Sequence, residues 1–103
     1  MPPRFRRHFL VTDPSRIEFD PDKSDRTFVN RGFDFAFAAL VFRGEILRRR
    51  DTRRQDEDVF QVIGEASGVV LFVVYTQRHG RIRIISARAA TRDEARLYHE
   101  RSG

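Results

Sequence analysis

The spacing of apolar positions changes along this 103-residue chain, and each change of period marks an element. Ile17-Glu18-Phe19 alternates and reads as a short edge strand. Asp20-Pro21-Asp22 then supplies a helix start: a capping carboxylate, a proline suited to the first helical position, and an acid at the positive end of the dipole. The helix is expected from Pro21 to Asn30, with Gly32 where a left-handed stop belongs. Asp34 caps a second helix running to Phe42, with Phe37, Leu40 and Val41 at helical spacing. Phe33, Phe35, Phe37 and the alanines between them leave this helix almost no polar face. It is either buried in the core or a surface that a partner covers.

Beyond Gly44 the period becomes two. Strands are expected over Glu45 to Arg49 and Val59 to Gly64, flanking a loop of arginines and acids, with Glu65-Ala66-Ser67-Gly68 as a turn. Val69 to Thr76 is β-branched and apolar on both faces, the pattern of a central strand. After the turn Gln77-Arg78-His79-Gly80, the run Arg81 to Ala87 puts Ile82 and Ile84 on one face and Arg81 and Arg83 on the other. Thr91-Arg92-Asp93-Glu94 is a capping box opening a last helix to Arg101, with Ala95 and Tyr98 on its inward stripe. The expectation is an α+β domain over residues 17–103: a small antiparallel sheet, two N-terminal helices and one C-terminal helix, the helices mainly against one face. Residues 1–16 read as a basic arm.

Composition narrows the chemistry. No cysteine is present, which excludes structural disulfides and cysteine-bound metals and fits a reducing cytoplasm. The apolar run Val69 to Tyr75 is far short of the roughly 20 residues a membrane helix needs. The histidines are scattered without metal-ligand spacing, and neither a serine elbow nor a glycine-rich phosphate loop occurs, so no metal or cofactor is expected. The net charge of +5 rests on 20 basic residues, all arginine except Lys23, concentrated in Arg43 to Arg54 and Arg81 to Arg88. A guanidinium is a permanently charged fork of donors that matches phosphate oxygens. The partner to test first is therefore a polyanion, with RNA ahead of the others.

The stretches Ile17 to Lys23, Arg31-Gly32, Val73-Val74-Tyr75-Thr76, Arg83-Ile84-Ile85-Ser86-Ala87-Arg88-Ala89-Ala90-Thr91 and Arg96-Leu97-Tyr98 resemble the BrnT toxins of bacterial type II toxin–antitoxin systems. The resemblance covers residues 17–100 and implies a RelE-like fold and ribonuclease activity. It also implies a BrnA-type antitoxin that binds operator DNA in complex with the toxin. In such a reaction Arg88 and Arg83 would stabilise the phosphorane, Glu57 would take the 2′-hydroxyl proton and Tyr98 would orient phosphate. Arg81, Arg53, Arg31 and Lys23 would hold the RNA backbone. Blander roles compete: Arg83 solvated on its strand or paired with the acidic block of residues 55–77, Arg88 anchoring the last helix, Glu57 neutralising Arg53 or Arg54, Tyr98 packing, and His79 solvated in its turn. Arg31 stands where the family often carries histidine, and Val59 where it often carries arginine. The competing function is a module that binds antitoxin or nucleic acid without cutting.

Overall fold

The computed structural model describes residues 3–9, 16–53 and 58–101. Helix α1 (Pro21–Arg31) forms on its expected signals: the Asp20 carboxylate accepts from the Asp22 N–H at 2.9 Å, and Gly32, at φ 83°, donates its N–H to the Phe28 carbonyl. Asp34 caps α2 (Phe35–Ala38) by accepting from the Phe37 N–H at 2.9 Å. The expected helix to Phe42 is not continuous, however. After one α-turn the chain tightens into a 3₁₀ helix over Ala39–Arg43. Phe35, Ala38 and Val41 are all essentially inaccessible, and the tighter turn after Ala38 keeps Val41 in line with it, where 3.6 residues per turn would rotate the two apart. This tight turn lies against the sheet at Gly64, where an added Cβ would meet Val41 Cβ at 2.8 Å.

The strands are β1 (Arg6–Phe9), β2 (Ile17–Phe19), β3 (Glu45–Arg50), β4 (Val59–Ala66), β5 (Val69–Arg78) and β6 (Arg81–Ala89). Their order in the sheet is β1-β3-β4-β5-β6-β2. β3 to β6 form the expected antiparallel meander, but β2 runs parallel to β6, so the sheet is mixed. Part of the basic arm joins it: β1 pairs with β3, and Phe5 is buried. Helix α3 (Arg92–Arg101) carries the capping box in reciprocal form, Glu94 N–H to Thr91 Oγ1 at 3.1 Å and Thr91 N–H to Glu94 Oε1 at 2.9 Å.

The helices do not gather on one face. α1, α2 and the 3₁₀ helix cover a core of Val41, Ile46, Val62, Val73, Tyr75 and Ile84, whereas α3 packs on the opposite face with Phe5, Leu47, Ile63 and Phe72. A strand apolar on both sides requires this, since Leu71, Val73 and Tyr75 face one way and Phe72 the other. α3 is too short to cover its whole face. The cross-strand row Leu47, Ile63, Phe72, Arg88 lies at its edge, and the next row, Arg49, Gln61, Val74, Ser86, is not covered by it.

A β-bulge decides what stands on that open row. Val74 pairs with Ser86 and Tyr75 with Ile84, which leaves Ile85 unmatched. Strict alternation from Ile82 and Ile84 would send Ser86 and Arg88 into the α1 core. The extra residue reverses the phase, so Ala87 is buried there and Arg88 opposes Phe72 on the α3 face.

A candidate nucleic-acid cleft

The row not covered by α3 floors an open cleft of about 530 Å³, walled by Asp51, Thr52 and Arg53 after β3 on one side and by Glu94 at the start of α3 on the other. Arg49, Arg50, Arg53 and Arg88 line it, with Asp51 and Glu94 as the acids. The run Arg48-Arg49-Arg50 reaches this cleft selectively because a strand alternates. Arg48 lies over the Phe60 ring, 4.5 Å from its centroid, and donates to the Tyr75 hydroxyl at 3.4 Å, among residues of the α1 core. Arg49 emerges on the cleft side.

All four cleft arginines are held by protein acceptors or rings; Arg50 donates from Nη2 to Asp58 Oδ1 at 2.6 Å. Arg88 donates from Nη1 and Nη2 to the two oxygens of Glu94, at 2.7 and 3.0 Å, and its guanidinium lies 4.0 Å from the Phe72 ring centroid. Arg49 donates from Nε to Gln61 Oε1 at 2.7 Å and lies 4.1 Å from the centroid of Phe5. Phe5 in turn meets Phe72 edge to face, with centroids 6.5 Å apart, so the two arginines bracket one pair of rings. Arg53 donates from Nε and Nη2 to Asp51, at 3.1 and 2.9 Å, and from its backbone N–H at 3.1 Å.

Asp51 is the electrostatic keystone. It is buried, and it also accepts from Gln61 Nε2 at 3.2 Å, so Arg53, Asp51, Gln61 and Arg49 form one hydrogen-bonded chain along the cleft wall. The side-chain hydrogen bonds from Arg53 hold its carboxyl well below the usual carboxylate range, against the opposing effect of burial. Glu94 is likewise lowered, chiefly by its bonds from Arg88, and those bonds raise Arg88 in return. Among the described residues no acceptor is bonded to Arg88 Nε or to the terminal nitrogens of Arg49. Those N–H groups remain available to a ligand's oxygens.

Of the residues singled out by sequence, the fold brings Arg88 and Arg53 together and sets Arg83 apart. Arg83 and Arg81 stand at the β2 edge and share Glu18, at 3.9 and 3.7 Å, across the parallel pairing of Glu18 with Arg83. Tyr98 is buried under α3 and donates its hydroxyl to the Glu45 carbonyl at 2.9 Å. Arg31 donates to the Ala87 carbonyl at 2.8 Å on the α1 side, where Lys23 also lies. Glu57 falls outside the described residues. Arg49, Asp51, Gln61 and Glu94 were not picked out as site residues. Glu94 is legible as a cap and Arg49 as a strand position, but their meeting around one cleft needs the register.

The fold and cleft define a small α+β protein with an arginine-lined sheet face. Residues 19–94 match the family model described as ribonuclease toxin, BrnT, of type II toxin–antitoxin system, and the chain belongs to that family. No curated protein and no solved structure matches it. As a type II toxin it has an antitoxin partner. Among the described residues no helix is long and apolar enough to cross a membrane.

Proposed function

We propose that this chain is a RelE-like endoribonuclease that cuts cellular RNA in the cytoplasm without a metal ion and is neutralised by a BrnA-type antitoxin. The observation that carries the reading is the set of fixed guanidinium groups on one open sheet face. Attack of a deprotonated ribose 2′-oxygen on the neighbouring phosphorus makes a dianionic phosphorane, which collapses to a 2′,3′-cyclic phosphate as the 5′-oxygen departs and takes a proton from water. Donors already oriented for that charge act without reorganisation. In this reading Arg88 and Arg49 bind the equatorial oxygens from the two sides of the Phe5–Phe72 pair, with Arg53 beside them. Glu57, which the chain carries a few residues beyond Arg53, is the proposed base. Arg83 and Arg81 hold RNA beyond the cleft, and Tyr98 fixes α3 and with it Glu94. Operator DNA is engaged only through the antitoxin complex.

Purified protein is expected to cleave RNA in excess chelator. Arg88→Ala or Arg49→Ala is expected to lower the rate by roughly a hundredfold or more while the fold is kept. A binding module that does not cut is the second reading, favoured by one observation: both carboxylates of the described cleft are engaged by arginines. Tight RNA binding with no product at protein excess would establish it and end the first.

A further inference from the structure

A second, smaller groove of about 220 Å³ lies on the α1 side of β6, bordered by Lys23, Arg26, Asn30 and Arg31 of α1 and by Ile85 and Ser86. Ser86 also borders the main cleft, so the two meet at this residue on the β6 edge. On the side of β6 away from β5, β2 ends opposite Ile84, so among the described residues no strand pairs there with the rest of β6, and Arg31 reaches its edge, donating to the Ala87 carbonyl. The bulge at Ile85 is what sends Ala87 to one face and Ser86 to the other at this crossing. The charges of the two grooves differ in kind. In the cleft Arg53 and Arg88 are each paired with an acid, whereas no carboxylate among the described residues lies within ion-pairing distance of Lys23, Arg26 or Arg31. Three like charges left uncompensated along one helix face favour an anion.

From this we infer a flanking-nucleotide subsite: an RNA strand lying in the cleft crosses the open β6 edge at Ser86, and its neighbouring phosphates lie against Lys23 and Arg26. The inference rests on the proposed RNA reading of the cleft. A polyanion long enough to turn the edge gains the second groove, and a short one does not.

The test compares a non-cleavable 2′-O-methyl trinucleotide with a dodecanucleotide, binding each to the full chain over a salt series. The variant is Lys23→Ala with Arg26→Ala, which leaves Arg31 and its bond to Ala87 in place. For the dodecanucleotide the log–log salt slope should fall by about 1.4, from roughly 0.7 per phosphate contact in a single strand, with a several-fold loss of affinity. The trinucleotide should bind as before. Unchanged dodecanucleotide binding in the double variant overturns the subsite, as does a loss confined to antitoxin affinity, which would assign the groove to an acidic protein segment. Either result leaves the cleft reading intact if Arg49→Ala still abolishes binding. Failure of the unaltered chain to bind either oligonucleotide would remove both.

Discussion

Asp51 shows how one buried carboxylate can organise a site it need not react in. Its oxygens gather Arg53 and Gln61, and Gln61 passes the constraint to Arg49. Asp51→Ala should therefore cost about 2 kcal/mol by leaving the buried Gln61 amide unpaired, a fall of roughly 10 °C in the thermal midpoint. RNA cleavage should fall with it, because two cleft arginines lose their orientation. The acid response follows from the lowered Asp51 pKa. A depressed carboxyl contributes stability that is complete above the unfolded-state value and is lost as the pH falls through the folded one. Thermal midpoints measured between about pH 5 and pH 2 should drop steeply in the unaltered protein and less so in Asp51→Asn. Glu94 acts on Arg88 in the same way. By taking Nη1 and Nη2 it leaves the Nε edge for phosphate, so Glu94→Gln should weaken cleavage less than Arg88→Ala, since an amide oxygen keeps one of the two bonds.

The elements are joined where close approach is unavoidable. The 3₁₀ helix crosses β4 at Gly64, with Val41 and Ile46 side-chain atoms 2.8 and 3.0 Å from where a methyl would stand. Gly64→Ala should lower stability by about 1 to 3 kcal/mol, read from denaturant unfolding, because Val41 is fully buried and has nowhere to move. Helix α3 is fixed from the other side by the Tyr98 hydroxyl on the Glu45 carbonyl. Tyr98→Phe should cost about 1 kcal/mol and leave cleavage nearly unchanged, whereas a tyrosine that touched phosphate would lose activity without losing stability.

Over the whole molecule, the charge is placed more tellingly than its total of +5 suggests. The cleft and the α1 groove, each bordered by basic residues, both reach Ser86 on β6. RNA affinity should fall steeply and log-linearly with salt. Expression of the chain without its antitoxin should arrest growth, and Arg88→Ala should relieve the arrest. Growth curves of the two strains, at matched protein levels, check this.

Local signals sufficed wherever a single residue or a short period decides the outcome. Asp20 and Gly32 bounded α1, Thr91 and Glu94 opened α3, and the two-faced apolar run at Val69 to Thr76 announced a central strand. These are contacts within a few residues, and sequence carries them directly. The family resemblance was likewise written in contiguous residues and is matched over 19–94. What sequence could not carry was phase and pairing between distant segments. One unmatched residue, Ile85, turns Arg88 from the core side to the cleft, and the pairing of β2 with β6 ties Arg83 to Glu18 instead. Burial of both faces of β5, rather than any helical signal, placed α3 opposite α1. A cleft is made of residues that are neighbours only after the sheet has formed, and so its membership belongs to the tertiary structure.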